Sequence, residues 1–502
     1  MVVKISADWG AASARIDRRI FGTFVEHMGR CVYEGIYEPS HPTADEEGFR
    51  GDVAELVREL GATVVRYPGG NFVSGYNWED GIGPKEDRPV RLDAAWHSLE
   101  TNQVGLHEFF NWSKRVGLEV MEAVNLGTRG IGDAAALLEY CNIEAGTTRA
   151  QERRANGAKD PLNIKLWCLG NEMDGPWQIG HKTAHEYGRL AAEAARMMRF
   201  IDSSVELVAA GSSNMEMPTF GEWERTVLAH TADLIDHISI HAYYEPKGGD
   251  VDSFLASSLN LEAYIREVAK IIDECSPTRR IGISVDEWNV WNQTRWNETD
   301  KPRVMTGAWP AHPRLIEDDY TVTDAVVVGS LLITLLRNAD RVSMANQAQL
   351  VNVIAPIRSE PNGPAWRQTT FFPFQLTSAL AHGVAVPTTV HTPTYDTALY
   401  GDAPVVDAVV TRDEDRCAVF AVNRDREAAH EVVVELGMAI VSANVQVLTI
   451  PENGTQDTIN TADDQPVGLE ELTCVIAGNT VRFTLPTLSW AAVSATLSKD
   501  EM

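Results

Sequence analysis

No stretch of this sequence is apolar for long enough to cross a membrane. The longest, AVVVGSLLITLL from Ala325 to Leu336, falls short of the roughly 20 residues a spanning helix needs and reads as a buried helix. The opening residues, MVVKISADWGAASARIDRR, carry no apolar core of signal-peptide length. The six cysteines are scattered and form no CxxC pair, as expected of reduced thiols in a cytoplasmic protein. Basic residues are scarce: 43 Lys and Arg stand against 71 Asp and Glu, a formal charge of -28. So acidic a chain repels polyphosphate, which argues against nucleic acid and anionic membrane as partners and suits a neutral substrate. Acidity kept for solubility alone fits as well. HxH and HExxH patterns are missing too, and with them the usual spacing of metal ligands.

What is present is length and rhythm. The 502 residues suit a large barrel with an accessory domain. Eight apolar runs recur: IFGTFVEH, ATVVRYPGG, LEVMEAVNLG, IKLWCLGNE, VELVAAGSS, LIDHISIHAYY, IGISVDEWN and VSMANQAQL. Helical patterns lie between most of them. In HEYGRLAAEAARMMRFI, Tyr187, Leu190, Ala191, Ala194, Met197, Met198 and Ile201 fall on one face. Eight strand-like runs with helices between them predict a (β/α)8 barrel, with a doubly wound open sheet as the rival. After about Gly383 the pattern turns β-rich, as in RCAVFAVNRD and NTVRFTLPTLSWAAVSATL, and predicts an antiparallel sandwich. No cluster of exposed aromatics marks that sandwich as a sugar binder, so a structural role is expected. The strand-like VVKISADW at the start could join either domain.

Barrel active sites form at the C-terminal ends of the strands. Here the runs end on Glu26 and His27, on Arg66 and Asn71, on Asn125, and on Asn171 and Glu172. Later runs end on His241, Tyr243 and Tyr244, on Asp286, Glu287 and Asn289, and on Asn346 and Gln349. A purely structural barrel needs no such convergence, whereas uncharged sugar hydroxyls need this mix of amides, carboxylates and arginine. Tryptophan adds a flat face for a sugar ring. Trp96, Trp177, Trp291, Trp296 and Trp309 lie in rim segments, while Trp288 reads as core.

Two rim carboxylates suggest glycoside hydrolysis: one protonates the leaving oxygen, the other attacks the anomeric carbon or activates water. Glu172, in LWCLGNEMDGPW, and Glu287 are the leading pair, with Asp174 and Asp286 as competitors. Adjacent strand residues point to opposite sides, so only one of Asp286 and Glu287 is expected to face the mouth. The rival chemistry is a metal-dependent hydrolase built on His27, His237, His241 and the carboxylates. His237 and His241 are separated by about 13 Å along a strand, too far to grip one ion.

The quoted runs, with YEGIYEP, GYNWEDGIGP, WHSLETNQVG, GNEMDGPWQIGHK and DEWNVW, resemble the intracellular retaining α-L-arabinofuranosidases. The similarity covers nearly the whole chain, and GNEMDGPWQ with DEWNVW is highly specific. The resemblance implies a TIM barrel with catalytic glutamates on strands four and seven, and a C-terminal jelly roll that takes an N-terminal strand. The domains expected are 1–16 with the sandwich, 17–383 as the catalytic barrel and 384–502 as the sandwich. It implies that Glu172 is the acid/base and Glu287 the nucleophile. Glu26, Arg66, Asn71, Asn171, Tyr243 and Gln349 would line the sugar subsite, with Trp96 and Trp177 bounding it. It implies no metal and no cofactor, arabinose-containing oligosaccharides as substrates, a cytoplasmic setting, and a homo-oligomer, often a hexamer. One departure follows DEWNVW: Asn292-Gln293-Thr294 stands where many relatives carry an aromatic, so the reducing-side pocket is expected to differ. The alternatives are another retaining barrel glycosidase, an endo-β-glucanase or a β-xylosidase, and a non-catalytic sugar-binding protein. An open groove would favour the endo reading.

Overall fold

The computed structural model describes residues 2–276 and 278–498, so the last four residues of the expected sandwich lie outside the described residues. Eight parallel strands close a barrel in chain order. They are β1 (Gly22–Phe24), β2 (Val64–Tyr67), β3 (Glu119–Val124), β4 (Leu166–Leu169), β5 (Glu206–Ala209), β6 (His237–Tyr244), β7 (Gly282–Val290) and β8 (Val342–Ala348). The ring shuts where Asn346 of β8 pairs with Gly22 of β1. Both faces of these strands are covered, which is why they read as near-continuous apolar runs rather than as alternation.

Helices fill the outer layer. Ala184–Ile201 starts at a capping box between Thr183 and Glu186 and buries Tyr187, Ala191, Ala194 and Met198. The Tyr187 hydroxyl donates to the Leu169 carbonyl at 2.7 Å, fixing this helix to the end of β4. Met197, placed on the buried face by spacing, is instead 41% exposed. The greasy stretch forms the helix Val322–Arg337, buried along almost its whole length. It lies between the barrel and the C-terminal sheets, so no side of it needs polar residues. Gly329 permits this closeness, since a Cβ there would meet the Trp490 ring at 2.2 Å.

The C-terminal part is two stacked sheets, antiparallel but for one pairing. One has the order Ala14–Arg15, Val384–Val386, Val406–Asp413, Arg416–Asn423, Ser489–Leu497, Ile440–Leu448, Glu470–Leu472. The other has the order Thr388–His391, Val3–Ala7, His430–Glu435, Thr480–Leu485, Val475–Ala477. Val3–Ala7 pairs in parallel with His430–Glu435, so the N-terminus supplies a strand to each sheet. Val3, Ile5, Val410, Val419, Phe483 and Val493 fill the space between them. A two-stranded hairpin, Thr394–Thr397 with Gly401–Pro404, leaves this domain and reaches the barrel. All six cysteines are unpaired. Among the described residues no helix is long and apolar enough to cross a membrane.

Candidate active site

Strand β4 stops at Leu169, before the carboxylate that was expected to end it. Gly170 then turns the chain in the left-handed region, at φ +85°, and Glu172 follows at φ +42°. Such a backbone costs a non-glycine residue on the order of 1–3 kcal/mol and persists only where the surroundings enforce it. Here two contacts fix the Glu172 side chain. Trp177 Nε1 donates to Oε2 at 2.5 Å, and His241 Nδ1 lies 2.8 Å from Oε1.

The second carboxylate comes from an irregular stretch of β7. His241 of β6 pairs with Glu287 although Ser239 pairs with Ser284, so β7 carries one extra residue there. The same extra residue shows against β8, between Val285 and Trp288. A bulge of this kind re-aims side chains, and it changes the expected alternation. Glu287 lines the pocket and Asp286 does not, yet Asp286 is not turned away from it. Asp286 Oδ1 lies 3.0 Å from His241 Nε2, and its Oδ2 lies 3.7 Å from Arg66 Nε. Trp288 takes the core position expected of it, with no exposure.

Around Glu287 the donors converge. Arg66 gives one nitrogen to Glu287 Oε1 at 2.8 Å and another to Asn171 Oδ1 at 2.6 Å. The Tyr243 hydroxyl donates to Glu287 Oε2 at 2.8 Å. Burial raises the Glu287 carboxyl and the Glu172 charge adds to this, while His241, Arg66 and Tyr243 pull it back. Burial opposes charge on His241 as well, but Glu287, Asp286 and Glu172 hold its pKa well above the ordinary 6.5. His241 thus sits among three carboxyl groups whose negative charge favours its protonated form. The sequence marked it only as a rim residue.

Glu26 accepts from the Phe72 amide and from Trp96 Nε1, both at 2.9 Å, and Gln349 Nε2 lies 3.4 Å from its other oxygen. Burial pushes its carboxyl up to about 8. Asn71 lines the same pocket. The two glutamates and the eight subsite residues that the resemblance implies thus meet in one place, with Arg66 and Asn171 just behind the lining and the rest on it. Three supporting residues had no signal in the sequence. Gln178 accepts from Asn171 Nδ2 at 3.3 Å, Ser74 accepts from Gln178 Nε2 at 2.6 Å, and Asp93 accepts the Ala95 amide at 2.9 Å in the turn that carries Trp96.

The cavity measures about 520 Å³. Trp96, Trp177, Trp291 and Trp296 line it, but Trp309 does not: it stacks on His97 at 3.9 Å, outside. Asn292 is also outside the lining and caps the following turn by accepting the Arg295 amide at 2.9 Å. Asp174 is withdrawn from the competition, because it accepts the Ser213 amide at 3.0 Å and the Ser213 hydroxyl at 3.2 Å. Of the histidines offered to a metal, His27 bridges Glu100 and Tyr67, and His237 sits at the far end of β6 against Glu206. Among the described residues one group, Glu172, His241 and Glu287, brings potential ligand atoms within 4.8 Å of one another.

Residues 56–258 match the family model described as α-L-arabinofuranosidase 1 domain, and residues 286–489 match the α-L-arabinofuranosidase C-terminal domain. The chain is 53% identical to an exo-α-(1→6)-L-arabinofuranosidase of Bifidobacterium longum, over 96% of this chain and 94% of that one. It is 54% identical to an intracellular exo-α-(1→5)-L-arabinofuranosidase of Halalkalibacterium halodurans, over 82% of each. A solved family 51 α-L-arabinofuranosidase from Bifidobacterium longum superposes with a TM-score of 0.93 at 47% identity, covering 98% of this chain and 99% of that one. A site with two facing glutamates at the ends of β4 and β7, in a chain this similar throughout, places the protein in a family: it belongs to the family 51 α-L-arabinofuranosidases.

Proposed function

We infer that the chain is an exo-acting glycoside hydrolase that removes terminal α-L-arabinofuranosyl residues from arabinan and arabinoxylan fragments, with retention of configuration. The observation that carries the mechanism is the gap between the two glutamates. One oxygen of Glu172 and one oxygen of Glu287 lie within 4.8 Å of each other, a nearest approach that supports the closer of two known spacings. Retaining pairs stand about 5–5.5 Å apart, and inverting pairs, which must admit a water, about 6.5–9.5 Å.

In the first step Glu287 attacks the anomeric carbon. The bond from that carbon to the leaving oxygen breaks, and Glu172 gives its proton to that oxygen. As Glu172 becomes anionic, the Trp177 N–H and the His241 imidazolium stabilise it. Arg66 and Tyr243 keep Glu287 ionised and aimed. In the second step water gives a proton to Glu172 and attacks the same carbon, and the bond to Glu287 breaks. Glu26, Asn71, Asn171 and Gln349 bind the ring hydroxyls. Glu26 and Gln349 at 3% exposure and Asn171 at 1% close the floor into a dead end, with the half-buried Asn71 beside them. A dead end suits a chain terminus and speaks for the exo reading over an endo-glucanase groove.

Curated relatives named intracellular support a cytoplasmic setting. The family resemblance supports assembly into a hexamer of identical chains, which light scattering tests. Hydrolysis of p-nitrophenyl α-L-arabinofuranoside tests the activity itself. Turnover of that substrate, with none of p-nitrophenyl β-xyloside or of β-glucan, is the expected result. Preference for either of the latter would replace the reading with its rivals, and inactivity on all three would leave a sugar-binding protein.

A further inference from the structure

The cavity continues past Glu172, and its far wall comes from the other domain. Leu399 and Tyr400, in the tip of the hairpin Thr394–Thr397/Gly401–Pro404, line the same cavity as Glu172 and Glu287. The hairpin is fastened there. The Tyr395 hydroxyl donates to the Asp252 carbonyl at 3.1 Å, and the Leu399 amide donates to Ser253 Oγ at 3.2 Å. Arg426 pairs with the Asp252 carboxylate at 3.0 Å. Both acceptors belong to the short helix Val251–Leu255, whose Ser253 and Phe254 also face the cavity.

The direction of the substrate follows from the chemistry. The leaving oxygen must sit against Glu172, and the sugar side of the pocket is closed by buried residues. The leaving group therefore extends away from that floor. Strand β6 runs from His241, which touches Glu172, to Tyr244, which lines the continuing lobe. Three strand residues span about 10 Å, room for more than one sugar ring. Tyr244, Phe254 and Tyr400 line the cavity with the polar Asn260, which accepts from the Tyr244 hydroxyl at 3.1 Å, a combination of aromatic and amide groups that suits a neutral ring with an apolar face and a hydroxyl edge.

We propose that this lobe binds the second and third sugars of the substrate, the first two of the leaving chain, and that Tyr400 of the C-terminal domain is a specificity-determining residue. The C-terminal domain is then part of substrate recognition, beyond the structural role expected of it. The proposal rests on Glu172 as the acid of an arabinofuranosidase.

The test is steady-state kinetics of Tyr400→Ala on two substrates: p-nitrophenyl α-L-arabinofuranoside, and a linear trisaccharide of arabinofuranose. The substitution is expected to lower kcat/KM for the trisaccharide about five- to tenfold more than for the aryl glycoside, mainly through KM. Both substrates are read on one preparation, so any loss of folded protein cancels from the ratio. Tyr400→Phe keeps the ring and should keep the wild-type ratio. An equal effect on both substrates, or none on either, would overturn the subsite. A wild-type chain that hydrolyses neither substrate overturns instead the arabinofuranosidase reading beneath it.

Discussion

His241 stands with Nδ1 2.8 Å from Glu172 Oε1 and Nε2 3.0 Å from Asp286 Oδ1, so one imidazole ties the turn after β4 to the bulge of β7. Its pKa is raised well above 6.5. A raised folded value means that its stabilising contribution is complete below about pH 6.5 and is lost as the pH climbs through the folded value. Denaturant unfolding from neutral to alkaline pH should therefore show the wild type losing stability faster than His241→Gln. Parallel curves would mean that no proton is held there. The variant should also lose at least about tenfold in kcat, because Glu172 loses the cation that supports its anion.

Glu172→Ala should slow substrates with poor leaving groups far more than activated aryl glycosides, by about 10²-fold or more, since the acid matters most when the departing oxygen is basic. Azide should restore turnover on the activated substrates and yield an arabinosyl azide of unchanged anomeric configuration, because the anion needs no base. Equal losses on both substrate types, with no azide product, would remove Glu172 from the role.

Arg66 holds Glu287 and Asn171 at once. Arg66→Ala strands a buried carboxylate, so a loss of about 3–5 kcal/mol in unfolding free energy is expected. Asn171→Ala and Arg66→Ala should both lower kcat more than they raise KM, the first because hydrogen bonds to ring hydroxyls strengthen as positive charge develops in the transition state, the second because Arg66 aims the attacking carboxylate. A rise in KM with kcat intact would make both residues ordinary binding contacts.

Exhaustive treatment with EDTA should leave the activity as it was. The motivation is that in the one group among the described residues that could take an ion, Glu172–His241–Glu287, His241 spends its ring nitrogens on Glu172 and on Asp286. Activity lost to EDTA and returned by zinc or manganese would assign that cluster to a metal.

The barrel was legible because burial on both faces writes a strand as an uninterrupted apolar run, and eight such runs are hard to mistake. Glu172 and Glu287 were legible because a carboxylate that closes an apolar run beside Asn and Trp has few structural uses. What stayed hidden depends on register or on distant chain. The extra residue in β7 follows from pairing with β6 and β8, and no local pattern encodes it, so strand alternation allots the mouth to only one of Asp286 and Glu287 and does not choose between them. The part played by His241 depends on three carboxylates from two other strand ends. Trp309 sits in a polar loop whose path the sequence does not specify, so its place in a rim segment does not reveal that it stacks on His97 outside the cavity. Tyr400 is 228 positions from Glu172 in the sequence, and only the folded hairpin brings them to one cavity.

The central claim is a double displacement through Glu287, and the anomeric configuration of the first product tests it most directly. The short gap between the two carboxylates leaves no room for water between Glu287 and the anomeric carbon, so the carboxylate must attack, and a second displacement restores the starting configuration. Proton NMR of an aryl α-L-arabinofuranoside digest, recorded before mutarotation, should show α-arabinofuranose as the initial product. Initial β-arabinofuranose would contradict the account and recast Glu287 as a base acting on water.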